Sequence, residues 1–75
     1  MERQTENPVN LVEGLANEIL RVTEIVTEYR AVPKGAGNLA AKFMEDAIQR
    51  ARNAQSSGDV IQMISAFQEL KGFEL

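Results

Sequence analysis

Val12-Glu13-Gly14-Leu15-Ala16-Asn17-Glu18-Ile19-Leu20-Arg21-Val22-Thr23-Glu24-Ile25-Val26-Thr27-Glu28-Tyr29 is the stretch on which the fold turns. Val12, Leu15, Ile19, Val22, Val26 and Tyr29 follow one another at steps of 3, 4, 3, 4 and 3. That spacing puts six apolar side chains on one face of an α-helix. Leu11, Leu20 and Ile25 fall off the stripe, so the helix is apolar over more than one face.

Working outward, Asn7-Pro8 reads as a helix start, with Asn7 as cap and Pro8 at the first helical position. Asn10 followed by Glu13 is a second possible cap. Residues 1–6 are expected to be disordered, and residues 7–75 to form one helical domain. The first helix is predicted over about 8–30, because Val32 before Pro33 is pushed out of helical geometry. Gly14 inside it is either tolerated or a point of close approach.

Lys34-Gly35-Ala36-Gly37-Asn38 then reads as a connector, with Asn38 placed to cap a second helix over about 39–56. Its inward face is read from Ala40, Met44, Ala47, Ala51 and Ala54, with Phe43 and Ile48 flanking. Gly58 suits a left-handed residue after a helix, and Asp59 with Gln62 has capping-box spacing. The third helix is predicted over about 60–71, with Val60, Met63, Ile64, Phe67 and Leu70 inward and Phe73 folding back beyond Gly72. No alternating strand pattern exists. The expected fold is all-α: three helices, with an antiparallel hairpin enforced by short connectors.

The chain has 75 residues, no cysteine and no histidine. Domains of this size draw about 3–5 kcal/mol from one core and commonly need disulfides, a metal or a second subunit. The first two are closed off by composition, which points to self-association. The stripe Val12, Leu15, Ile19, Val22 and Val26 can serve either as core or as the interface of a homo-oligomer joined through the first helix. β-Branched residues at 12, 19 and 26 favour the second use, as in two-stranded coiled coils.

Net charge is −3, unevenly spread. Residues 1–29 carry six acids against two bases, residues 30–52 five bases against two acids, and residues 53–75 three acids against one base. An acidic whole argues against duplex nucleic acid as a partner, since that needs a broad basic footprint. Apolar runs are too short to span a membrane. The polar start, Met1 to Glu6, lacks the apolar core of a secretory signal, so the cytoplasm is the expected location.

Catalysis is hard to build without cysteine or histidine. Ser56, Ser57 and Ser65 have no imidazole to activate them, and adjacent Glu45 and Asp46 point about 100° apart on a helix. The chain is expected not to be an enzyme and to need no cofactor or metal. The connector is the candidate site. Tyr29, Arg30 and Lys34 gather beside Gly35 and Gly37, just before a helix amino terminus. Free N–H groups and the positive helix end attract anions, glycines admit a ligand to the main chain, and a tyrosine ring offers a stacking surface. The same residues also suit a plain linker.

Tyr29-Arg30-Ala31-Val32-Pro33-Lys34-Gly35, followed by Met44-Glu45-Asp46-Ala47-Ile48-Gln49-Arg50-Ala51-Arg52, resembles small helical proteins encoded by bacteriophages. Among these it resembles the cyclic-nucleotide sponges of the anti-CBASS and anti-Thoeris hairpin family. Ser57-Gly58-Asp59-Val60 through Glu69-Leu70-Lys71-Gly72 is similar to short proteins of Mu-like prophages. The resemblance implies a short helical oligomer that holds a cyclic nucleotide between subunits, with Tyr29 stacking and Lys34 on phosphate, acting in the host cytoplasm against host defence. A rival expectation is an inhibitor or regulator that binds a host protein. It would use the acidic face of Glu13, Glu18, Glu24 and Glu28, or the apolar tail at Phe73 and Leu75.

Overall fold

A computed structural model describes residues 8–74. The expected disorder of residues 1–6, the Asn7 cap and the tail residue Leu75 lie outside them. Three helices follow in order: α1 (Pro8–Arg30), α2 (Asn38–Ser57) and α3 (Val60–Lys71), with one turn of 3-10 helix at Pro33–Gly35. The class and the number of helices are those expected.

Each boundary has a local cause. Val32 takes an extended conformation (φ −65°, ψ 131°) ahead of Pro33, ending α1. Gly58 closes α2 in the left-handed region (φ 71°), its N–H donating to the Ala54 carbonyl at 3.0 Å. Asp59 then caps α3, its carboxylate accepting from the Gln62 N–H at 3.1 Å.

Helix α2 folds back on α1, where Arg30 pairs with Glu45. Helix α3 folds back on α2, where Arg50 pairs with Glu69. It therefore runs in the same direction as α1. Phe67 lies over Gly14, Arg21 reaches the carbonyls of Leu70 and Phe73, and Tyr29 meets Glu74.

The core joins Leu15, Ile19, Val22, Ile25 and Val26 of α1 to Ala41, Met44, Ala47, Ile48, Ala51 and Ala54 of α2, and to Met63, Ala66 and Leu70 of α3. Small alanines on α2 let the axes approach closely. Four of the five stripe positions given to an oligomer interface, Leu15, Ile19, Val22 and Val26, are thus buried in their own chain. Only Val12 stays outside, 46% exposed. The cover that α1 seemed to lack comes from α2 and α3, which removes the need for a second copy along that stripe. Ile25 widens the buried face, whereas Leu20 points to solvent.

On α2, Met44, Ala47, Ala51 and Ala54 are buried as expected, and on α3 so are Met63 and Leu70; the remaining positions are corrected. On α2, Ala41 rather than Ala40 is fully enclosed, Ile48 is core rather than flank, and Phe43 is 58% exposed. On α3, Met63, Ala66 and Leu70 form the buried line, Phe67 is half-buried, and Val60 and Ile64 face outward. The reason is the same in both cases: the alanine, not the largest apolar side chain, sits where two helices come closest. Gly14 allows a comparable approach. A methyl group there would meet the Phe67 ring at 3.2 Å, and the Lys71 ammonium lies over that ring, 5.4 Å from its centroid.

Candidate functional site

The connector is built by a proline and two glycines. Pro33 sets the turn, and the Ala36 N–H closes it on the Pro33 carbonyl at 3.3 Å. Lys34 follows in the left-handed region (φ 64°, ψ 21°), beside Gly35 at φ 72°. For a lysine this costs about 1–2 kcal/mol. Gly37 is buried because the chain crosses the last turn of α1 there: a Cβ would stand 2.1 Å from the Tyr29 carbonyl oxygen. No other residue fits that crossing.

Gly37, not Asn38, is the cap of α2, and it brings no side-chain acceptor to the first turn. Asn38 is instead the first helical residue, with its amide turned beside Gly35. The N–H groups at the start of α2 therefore end without a side-chain cap, next to an exposed lysine. Among the described residues, no acid lies within ion-pair distance of Lys34.

Of the five expected site residues, the structure brings Lys34 and Gly35 together at the turn and uses Gly37 for the crossing. It directs the other two elsewhere. The Arg30 guanidinium donates to Glu45 at 2.7 Å. The half-buried Tyr29 packs against the core, and its hydroxyl lies 3.4 Å from the Glu74 carbonyl. Lys42 is likewise engaged, donating to Asp46 at 2.9 Å, a bond that holds its pKa above the ordinary lysine value. Three of the five bases of the positive middle segment, Arg30, Lys42 and Arg50, are thus held in ion pairs.

Sequence reasoning missed Arg21. Its guanidinium donates to Glu18 at 2.8 Å and to the carbonyls of Leu70 and Phe73, both at 2.9 Å. The hydrogen bond to Glu18, opposed by partial desolvation, raises its already high pKa. Leu70 is in the last turn of α3 and Phe73 lies two residues past it, so α1 caps its neighbour across the bundle. Only the i,i+3 spacing of Glu18 and Arg21 hinted at this role.

Grooves also lie elsewhere among the described residues. A shallow one of about 750 Å³ between α2 and α3 is lined by Arg50, Asn53, Gln62, Ser65, Gln68 and Glu69. A smaller one of about 290 Å³ gathers Glu24, Glu28 and Glu74 around Arg21. Among the described residues, no group of three or more acids converges as a metal site, and no helix is long and apolar enough to cross a membrane. No protein-family model matches the chain, and no curated protein or solved structure matches it significantly.

Proposed function

We propose that this chain is a non-enzymatic binding protein whose ligand end is the α1–α2 connector. Lys34 and the first turn of α2 would receive an anionic group, such as a phosphate of a cyclic nucleotide. In the phage setting suggested by the sequence, sequestering that nucleotide would counter a host defence. The observation that carries the reading is the juxtaposition of an exposed Lys34, held left-handed, with a helix start that has no side-chain cap. Tyr29 and Arg30 would act as supports of the turn rather than as direct contacts, since each already has a partner within the chain. A second copy belongs to the proposal as the other wall of the cradle. It would meet the connector end, because the α1 stripe is in the core.

Thermal melting with a panel of cyclic di- and trinucleotides tests this. A binder at saturation raises Tm by mass action, by an amount set by its concentration relative to Kd. Lys34→Glu should abolish the rise without lowering the melt of the free chain. No change with any member of the panel refutes the nucleotide.

A second reading has its own observation. On the solvent side of α1, Leu20 is 64% exposed between Glu13, Glu24 and Glu28, while Glu18 is turned to Arg21 and Phe73 packs on the core. An acidic helix face with one apolar knob suits a basic groove on a host protein. Capture of a stoichiometric host protein, lost in Leu20→Glu but kept in Lys34→Glu, would favour this reading over the nucleotide.

A further inference from the structure

We propose that the outer side of α2 at Leu39 and Phe43 is the face on which a second copy of this chain docks, antiparallel and about a two-fold axis. The face exists because α3 is short. Phe43 precedes Arg50 by seven residues, so the two lie on one side of α2, two turns apart. Arg50 meets Glu69 of α3. Covering Phe43 would take about seven more antiparallel residues of helix beyond Glu69. Helix α3 stops two residues later, at Lys71. The chain then bends toward α1, where Arg21 holds the Phe73 carbonyl and Tyr29 meets Glu74. The slot beside the first turns of α2 is left unfilled by the described residues, with Phe43 58% and Leu39 69% exposed.

Charge selects the occupant. Lys42 and Asp46, one of each sign, flank these apolar side chains along the same side of α2. In an antiparallel crossing centred near Phe43, Lys42 of each copy comes opposite Asp46 of the other. The lysine–aspartate pair, now within one helix at 2.9 Å, can then be shared across the interface. The outer face of α1 offers no such match, because Glu13, Glu24 and Glu28 would face like charge. Each α2 would fill the place that α3 leaves empty in the other copy. The interface does not depend on what the connector binds.

Sedimentation velocity of the full chain, without nucleotide and up to millimolar concentration, tests the proposal. A concentration-dependent dimer is expected. Phe43→Glu should weaken it roughly 30-fold or more, with the helical melt of the monomer unchanged because the side chain lies outside the core. Lys42→Asp should weaken it about tenfold, and adding Asp46→Lys should restore it. Lys34→Glu should leave the dimer intact while removing any nucleotide response, which separates this interface from the ligand site. A chain that stays monomeric overturns the proposal, as does a dimer indifferent to Phe43→Glu. So does a host protein that binds the monomeric chain through Phe43.

Discussion

The two ends of the molecule are built differently. Along the part of the hairpin that α3 covers, three helices converge and Leu15, Val22 and Leu70 are wholly enclosed. At the connector end, α1 and α2 stand as a pair, and Leu39 and Phe43 remain largely in water. Helix lengths explain the contrast. By rise per residue, α1 is about 34 Å long, α2 about 30 Å and α3 about 18 Å, so the third helix covers only part of the hairpin. Where α3 packs, small residues such as Ala51, Ala54 and Ala66 let the helices close up, while Leu39 and Phe43 lie where it does not reach. Large apolar side chains stand in water at both ends, Val32, Leu39 and Phe43 near the connector and Val12, Val60, Ile61 and Ile64 near the α2–α3 turn, but only Leu39 and Phe43 lie along a stretch of α2 that α3 does not reach.

The sharpest way to break this contrast is to truncate one leucine at each end. Leu70→Ala removes a fully enclosed side chain and should cost about 2–5 kcal/mol, comparable to the whole stability of a domain this size. Leu39→Ala should change stability by less than about 0.5 kcal/mol. Urea unfolding of both reads the difference, and equal losses would dissolve the distinction between the ends. Next in size is Gly37→Ala, which drives a methyl group into the Tyr29 carbonyl and should cost about 1–3 kcal/mol in the same assay. It should exceed Gly58→Ala, where the backbone is left-handed but nothing lies within 4 Å.

Arg21→Met should cost roughly 1 kcal/mol, less than a buried charged hydrogen bond because the guanidinium is partly in solvent. Amide hydrogen exchange should quicken at Leu70–Phe73 and stay unchanged around the connector. The smallest effect has the opposite sign. Lys34→Gly relieves a left-handed lysine and should stabilise the chain by up to about 1 kcal/mol. A gain in Tm together with loss of the nucleotide response would identify a residue held under strain for its ligand.

Much of the architecture was legible in the chain, and the reasons are local. Pro8, Pro33, Gly58 and Asp59 act on their own backbone, so the helix limits could be read from residue type. The inward faces could be read only in part: Leu15, Ile19, Val22, Val26, Met44, Ala47, Ala51, Ala54, Met63 and Leu70 are buried as their spacing indicates, whereas Ala40, Val60 and Ile64 are not. Ala41 and Ala66 carry little hydrophobic weight in a pattern, yet they lie where axes touch, whereas Phe43 carries much and lies outside. That outcome depends on where α3 ends in space, which no periodicity within α2 reports. The connector was found because glycines and a lysine before a helix are a local signal. The diversion of Tyr29 to Glu74 and of Arg30 to Glu45 joins residues 45 and 15 positions apart, beyond the reach of spacing rules. The stripe on α1 was read correctly as a helix face; what it packs against is a property of the whole chain.

Arg21 ties the order of assembly to the direction of synthesis. The contacts between α1 and α2 are made within residues 8–57, but two of the oxygens that grip Arg21 lie on Leu70 and Phe73. While a ribosome is still extending the chain, the guanidinium waits with only Glu18 for company. The latch can close only after residue 73 has emerged, so the arrival of α3 is what turns a paired rod into a three-helix bundle.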